Sequence, residues 1–160
     1  MLQLMAFYRF HPWPQKFSYY ANLKELKQNE NGFTIFLNQN ISQKTAIVSI
    51  DHFCLMQTHI HFLLTELAHG GIERFMRCVL NAYSRFFNLR HNRQGPLWQS
   101  RFGNTPIVDD NHLTTEIAYI RDNPVKSNLI ASSNQWPYSS FSDHHHSRCG
   151  DVCKLFNSNS

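Results

Sequence analysis

The stretch CLMQTHIHFLL, Cys54 to Leu64, is an apolar run interrupted by two histidines, His59 and His61. β-Branched and aromatic residues flank the short polar break Gln57–Thr58, in TAIVSIDHFCLM before it and THIHFLLTEL across it, so two adjacent antiparallel strands are expected. Residues two apart on a strand point to one face, which sets the two imidazoles about 7 Å apart at their Cα atoms. Converging imidazoles can share one metal ion. Two partly buried histidines with ordinary hydrogen-bond partners would give the same pattern, and two ligands alone leave a metal site incomplete. An apolar residue would serve a plain strand better at both positions, since an unpartnered buried polar group costs roughly 1–3 kcal/mol.

Beyond the pair, HGG at 69–71 breaks the chain. Ile72, Phe75, Met76, Val79, Leu80, Tyr83, Phe86 and Phe87 then recur at three and four, with Arg74, Arg77, Asn81, Ser84 and Asn88 opposite. This is an amphipathic helix of roughly five turns. Tyr83 continues the apolar stripe and is read as a core residue. A basic loop follows, RHNRQGPLWQSRF, and FGNTPIV is a candidate edge strand that Pro106 keeps from a sheet centre. Asp109, Asp110 or Asn111 can cap a second helix, HLTTEIAYIRD, which Pro124 is expected to stop near Asn123. Upstream, FSYYANLKELKQNENG reads as a short helix, and FTIFLNQNISQK suits strand or helix equally.

The chain has 160 residues, the size of one ordinary domain, with 13 Phe, 6 Tyr, 3 Trp and 10 His, a formal charge of +4 and a pI near 9.0. That balance favours an anionic partner, nucleic acid first. No run of about 18 apolar residues is present and the N-terminus has no secretory pattern, so a cytoplasmic protein without membrane contact is expected, its four cysteines reduced.

Four ordered blocks, CLMQTHIHFLL, FMRCVLNAYSRFFNLRHNRQGPLWQSRF, AYIRDNPVKSNLI and WPYSSF, together resemble the HUH single-strand-DNA transposases, in particular the REP-associated, single-tyrosine branch of the insertion-sequence-200-like superfamily. The likeness runs from about residue 45 to about residue 141. It departs in having Gln57 and Thr58 before the histidines, and in lacking a recognisable first strand within MLQLMAFYRFHPWPQKFSYY.

The resemblance implies a metal-dependent enzyme that cuts and rejoins single-stranded or hairpin DNA through a 5′-phosphotyrosine. It implies Tyr119 as nucleophile and His59, His61 and Asn123 as ligands to Mg²⁺ or Mn²⁺. Residues four apart lie one above the other on a helix, so Tyr119 and Asn123 can face one point. Tyr119 lies about 200° around the helix from Ile117, away from Leu113, Ile117 and Ile120, where substrate can reach it. A phenol titrates near 10 and needs help with its proton; Glu116, one turn earlier, is an accessory candidate or a solvated carboxylate, and Tyr83 is the lesser alternative tyrosine. Arg90, Arg93, Arg101 and Lys126 are candidate phosphate contacts, and Trp98, Phe102 and Trp136 candidate stacking groups, although Trp136 suits packing of the C-terminal turn better. The absence of a G-x-x-x-x-G-K-[ST] loop agrees with ATP-independent rejoining.

The expected fold is α+β, a ferredoxin-like antiparallel sheet with helices on one face and the histidine strand central, its first strand divergent or missing. Residues 1–143 form one domain in this reading, with 1–44 its divergent part, and 144–160 a polar, disordered tail in which His144, His145, His146, Cys149 and Cys153 fit no standard zinc finger. Two rivals stay open, an inert DNA- or RNA-hairpin-binding relative and a zinc hydrolase, as does monomer against homodimer.

Overall fold

The computed structural model describes residues 1–29, 31–99 and 102–143. Two compact units share the chain: Met1–Ser49 with Glu66–Gly103, and Ile50–Thr65 with the described residues from Asn104 onward.

In the first unit, α1 (Leu2–Tyr8) leads into the two-residue strand β1 (Phe10–His11). Then come α2 (Phe17–Ala21), α3 (Lys24–Lys27), α4 (Gly32–Ile41) and β2 (Thr45–Ala46), which pairs antiparallel with β1 in the register Phe10↔Ala46 and His11↔Thr45. The undecided segment FTIFLNQNISQK is therefore helical in its first part, with Phe33, Thr34 and Leu37 turned inward. Aromatic packing holds this unit together: Phe7 stacks on Trp13 with centroids 4.2 Å apart, and Phe17 meets Phe33 edge-on at 5.2 Å.

The long helix expected after HGG is α5 (Gly71–Arg90), and Leu4, Met5, Ala6 and Phe7 of α1 are buried along with its Phe75, Met76 and Val79. Among the described residues the first half of the apolar stripe is the fully buried part. At 1.5 Å per residue α1 is about 10 Å long and α5 about 30 Å, so Phe86 and Leu89 near the end of α5 stay exposed. At the other end, the Glu66 carboxylate accepts from the Gly70 and Ile72 N–H groups, satisfying donors that a helix start leaves open.

The second unit contains most of β3 (Val48–Leu55) and β4 (Ile60–Glu66), whose four-residue connection makes a hairpin, closed by a bond from the Met56 N–H to the His59 carbonyl. On the other edge of β3 the Leu55 N–H donates to the Tyr138 carbonyl and the Ser140 N–H to the Phe53 carbonyl, around an antiparallel bridge from Cys54 to Ser139. Among the described residues the inner strand is therefore β3, and β4, with the second histidine, lies at an edge.

The single ferredoxin-like sheet expected from the sequence is instead two strand pairs among the described residues. Residues 2–8 are helical rather than extended. Residues 102–108 join no strand, in keeping with the missing N–H of Pro106.

The unit's helix, α6 (Asp110–Lys126), starts at Asp109, whose side chain accepts from the His112 N–H at 2.7 Å. It does not stop near Asn123 as expected. Pro124 removes one donor, yet Ser127 still bonds back to the Asn123 carbonyl and Leu129 to that of Pro124, so the last turn is held from its C-terminal side. A short 3₁₀ turn, Ser133–Gln135, leads to Trp136. No described helix is long and apolar enough to cross a membrane.

Candidate active site

The two imidazoles stand at the mouth of the hairpin rather than in mid-strand, His59 just before β4 and His61 as its second residue. Their rings meet edge to face, centroids 4.7 Å apart. His59 is exposed and its Nδ1 lies 3.0 Å from the Thr58 hydroxyl, which steadies the ring and leaves Nε2 as the nitrogen not used in that contact. His61 is half-buried, and its Nε2 is shut off from solvent with no hydrogen-bond partner. Burial first, and His59 second, hold its pKa below the ordinary 6.5 against the opposing pull of Glu116. At neutral pH His61 is thus an uncharged imidazole with an unused nitrogen, the state a metal ligand requires.

Tyr119 comes to this pair from α6. Its ring sits 5.2 Å from that of His61, nearly perpendicular, and 43% of the residue is exposed. Tyr119 therefore faces the histidines and solvent, while Ile120 beside it is buried. The Lys126 ammonium lies 5.4 Å from the centre of the tyrosine ring, within cation–π range. Asn123, one turn after Tyr119, is buried at 7% exposure. Glu116 is 3.7 Å from His112 Nε2, and its charge opposes the lowering of the His61 pKa.

His112, Glu116, Tyr119, Asn123 and Lys126 follow one another at spacings of four, three, four and three, so they form one stripe along α6. The sequence reading had Lys126 only as a phosphate contact and missed His112. The same spacing rule applied outward from Tyr119 would have found both.

Tyr83, Arg90, Arg93 and Trp98 fall in the first unit. Tyr83 is half-buried among Phe86, Phe87 and Trp98, with centroids 6.0–6.2 Å away, which fits a packing role. Trp98 is itself half-buried and donates its indole N–H to the Leu80 carbonyl at 3.2 Å. Arg90 is exposed at the end of α5, and the exposed Arg93 lies 5.8 Å from the Phe87 ring centre. Arg101 and the His/Cys tail lie outside the described residues. In the second unit Trp136 donates to the Leu55 carbonyl at 3.0 Å and so packs the C-terminal turn onto β3.

Among the described residues no three His, Cys, Asp or Glu side chains come together as a metal cluster. A site built on His59 and His61 must therefore draw a further ligand from another residue type or from solvent, and the amide of Asn123 is of the required kind. The unused, buried Nε2 of His61 fits such a group.

Residues 28–123 match the family model described as transposase, IS200-like. The chain belongs to that family. Over 99 residues it is 33% identical to a Haemophilus influenzae protein named "Putative REP-associated tyrosine transposase", a match covering 55% of this chain and 56% of that protein. The chain thus spans about half the length of the curated relative it matches. No solved structure gives a significant match.

Proposed function

We propose that the protein is a metal-dependent, single-tyrosine transposase that cuts and rejoins single-stranded DNA at hairpin-type elements. The observation that carries the proposal is one side chain's position: Tyr119, exposed, stands against the ring of His61 with Lys126 above it. In this reading the Tyr119 oxygen attacks the scissile phosphorus as the phenolic proton passes to Glu116 or to solvent. The new P–O bond to tyrosine forms while the bond to the 3′ oxygen breaks, and that oxygen leaves with a proton as a 3′-OH. A later 3′-OH attacks the 5′-phosphotyrosine and reverses the exchange, so no nucleotide hydrolysis is needed. Lys126 attracts the phosphate and Asn123 holds its amide at the same face. A bound Mg²⁺ or Mn²⁺, with His59, His61 and Asn123 as ligands, would supply neutralisation of the charge that builds on the phosphate oxygens. In the first unit Arg90, Arg93 and Trp98 remain the candidates for holding flanking DNA, together with Arg101.

A second reading has an observation of its own. Leu2–Tyr8 is a helix, within the segment where the family's first strand is not recognisable, which suits a relative that binds hairpins without cutting them. One experiment separates the two: the purified chain with a labelled hairpin oligonucleotide and Mn²⁺, resolved on a denaturing gel. A protein-linked band that Tyr119→Phe loses is the expected result. Retained affinity with no such band in the wild type would sink the enzyme and leave the binder.

A further inference from the structure

The first unit holds a cavity of about 470 Å³ that the catalytic reading does not use. One wall is α5, which contributes Arg74, Arg77 and Arg85; the other carries Tyr8, Trp13 and Lys16. Among the described residues no carboxylate lines it. Of these cations Arg77 has an acidic neighbour among the described residues, Glu73 at 3.8 Å, and both side chains are well exposed, a pairing that water largely screens. His11 at the rim is kept below its ordinary pKa by burial and then by Arg74, so the charge at neutral pH resides on the arginines and the lysine. The aromatic wall is preformed, for Trp13 is stacked on Phe7 and donates its indole N–H to the Phe7 carbonyl at 2.9 Å, while the Tyr8 hydroxyl accepts from the Phe17 N–H.

From this arrangement we infer that the cavity is a second anchoring site for a nucleic-acid strand, its phosphates on Arg74, Arg77 and Arg85 and a base against the aromatic wall. Length decides between a strand and a single phosphate. Arg74 and Arg85 are eleven residues apart on one helix, about 16 Å along its axis, whereas one stacked strand carries a phosphate roughly every 3.4 Å. Several consecutive phosphates match that row. Aromatic groups beside a cationic groove are the combination that holds unpaired strands without reading their sequence. The inference rests on the DNA-handling reading above but concerns non-covalent affinity, not cleavage.

The test is fluorescence anisotropy of the full chain with labelled dT12. The variant with Arg74→Glu and Arg85→Glu is expected to lose at least about tenfold in affinity, and its salt slope to become shallower by about 1.4, two phosphate contacts at roughly 0.7 each. Lys24→Glu with Lys27→Glu, the same charge change at exposed positions of α3 outside the cavity, stays within about twofold. Arg74→Gln with Arg85→Gln, milder for folding, shows the same selective loss. Equal losses for the arginine and lysine pairs, or none for the arginines, overturn the inference; so does displacement of dT12 by dTMP at equal nucleotide concentration, which would mark a mononucleotide site. The covalent adduct is scored separately on the denaturing gel, so arginine-dependent dT12 binding without any adduct preserves this site and removes the cleavage step alone.

Discussion

Tyr119 is set apart from other tyrosines of the chain by what surrounds its ring: an uncharged imidazole on one side and an ammonium on another. Lys126 is the less expected partner. A hydrogen bond from a charged group contributes about 1.5–3 kcal/mol, so Lys126→Gln should slow single-turnover adduct formation by about tenfold or more, with Lys126→Arg recovering most of it. An unchanged rate for Lys126→Gln would remove that residue from the site. His52 supplies a different kind of prediction. It lies on β3, stacked 4.6 Å from the Phe141 ring, and burial lowers its pKa from 6.5 although Asp51 pulls the other way. The unfolded chain therefore takes up the proton first as pH falls. The stability tied to His52 is complete above pH 6.5 and is lost on descent through its lower folded value. Denaturant midpoints of His52→Gln between pH 7 and pH 5 should accordingly fall less steeply than those of the wild type.

At the scale of elements, the start of α5 depends on a close approach. Gly71 packs so tightly on the Ile47 carbonyl that a Cβ would collide with backbone, and the Leu67 and Ala68 N–H groups both converge on that oxygen. Gly70, before it, has φ of +70°, a conformation side chains rarely adopt. Gly71→Ala should cost about 1–3 kcal/mol, as overpacking does, and thermal unfolding will show it; a melting temperature equal to wild type would mean that the contact yields freely. Pro124 teaches the opposite lesson about α6. A proline near a helix end removes one bond, and where the following N–H groups reach back past it the helix runs on, bringing Lys126 onto the stripe of Tyr119.

For the molecule as a whole, under the proposed function the formal charge of +4 and the candidate cations make counterion release the main source of DNA affinity. If three to four phosphates are neutralised, raising salt from 50 to 200 mM should weaken single-strand binding roughly 20- to 50-fold. A flat salt response would point instead to binding by stacking alone. The two units also divide the proposed sites, with the His59, His61 and Tyr119 cluster in one and the arginine-lined cavity in the other.

The sequence by itself determined the long helix α5, the hairpin, the start of α6 and the chemistry-bearing residue types. Periodicity of three and four marked α5, β-branched runs marked the hairpin, and the position of Tyr119 opposite Leu113, Ile117 and Ile120 marked it as outward-facing, because these patterns depend only on near neighbours in the chain. The pairing of strands was decided by tertiary structure. Whether β4 lies inside a sheet or at its edge depends on residues 138–140 lining the far side of β3, and whether residues 2–8 are strand or helix depends on the aromatic packing around Phe7. Tertiary structure also decided that the imidazole of His61 and the phenol of Tyr119, some sixty residues apart in the chain, stand 5.2 Å from each other. Contacts between distant segments carry no periodic signature, since each is set by shape and burial once the chain has closed on itself.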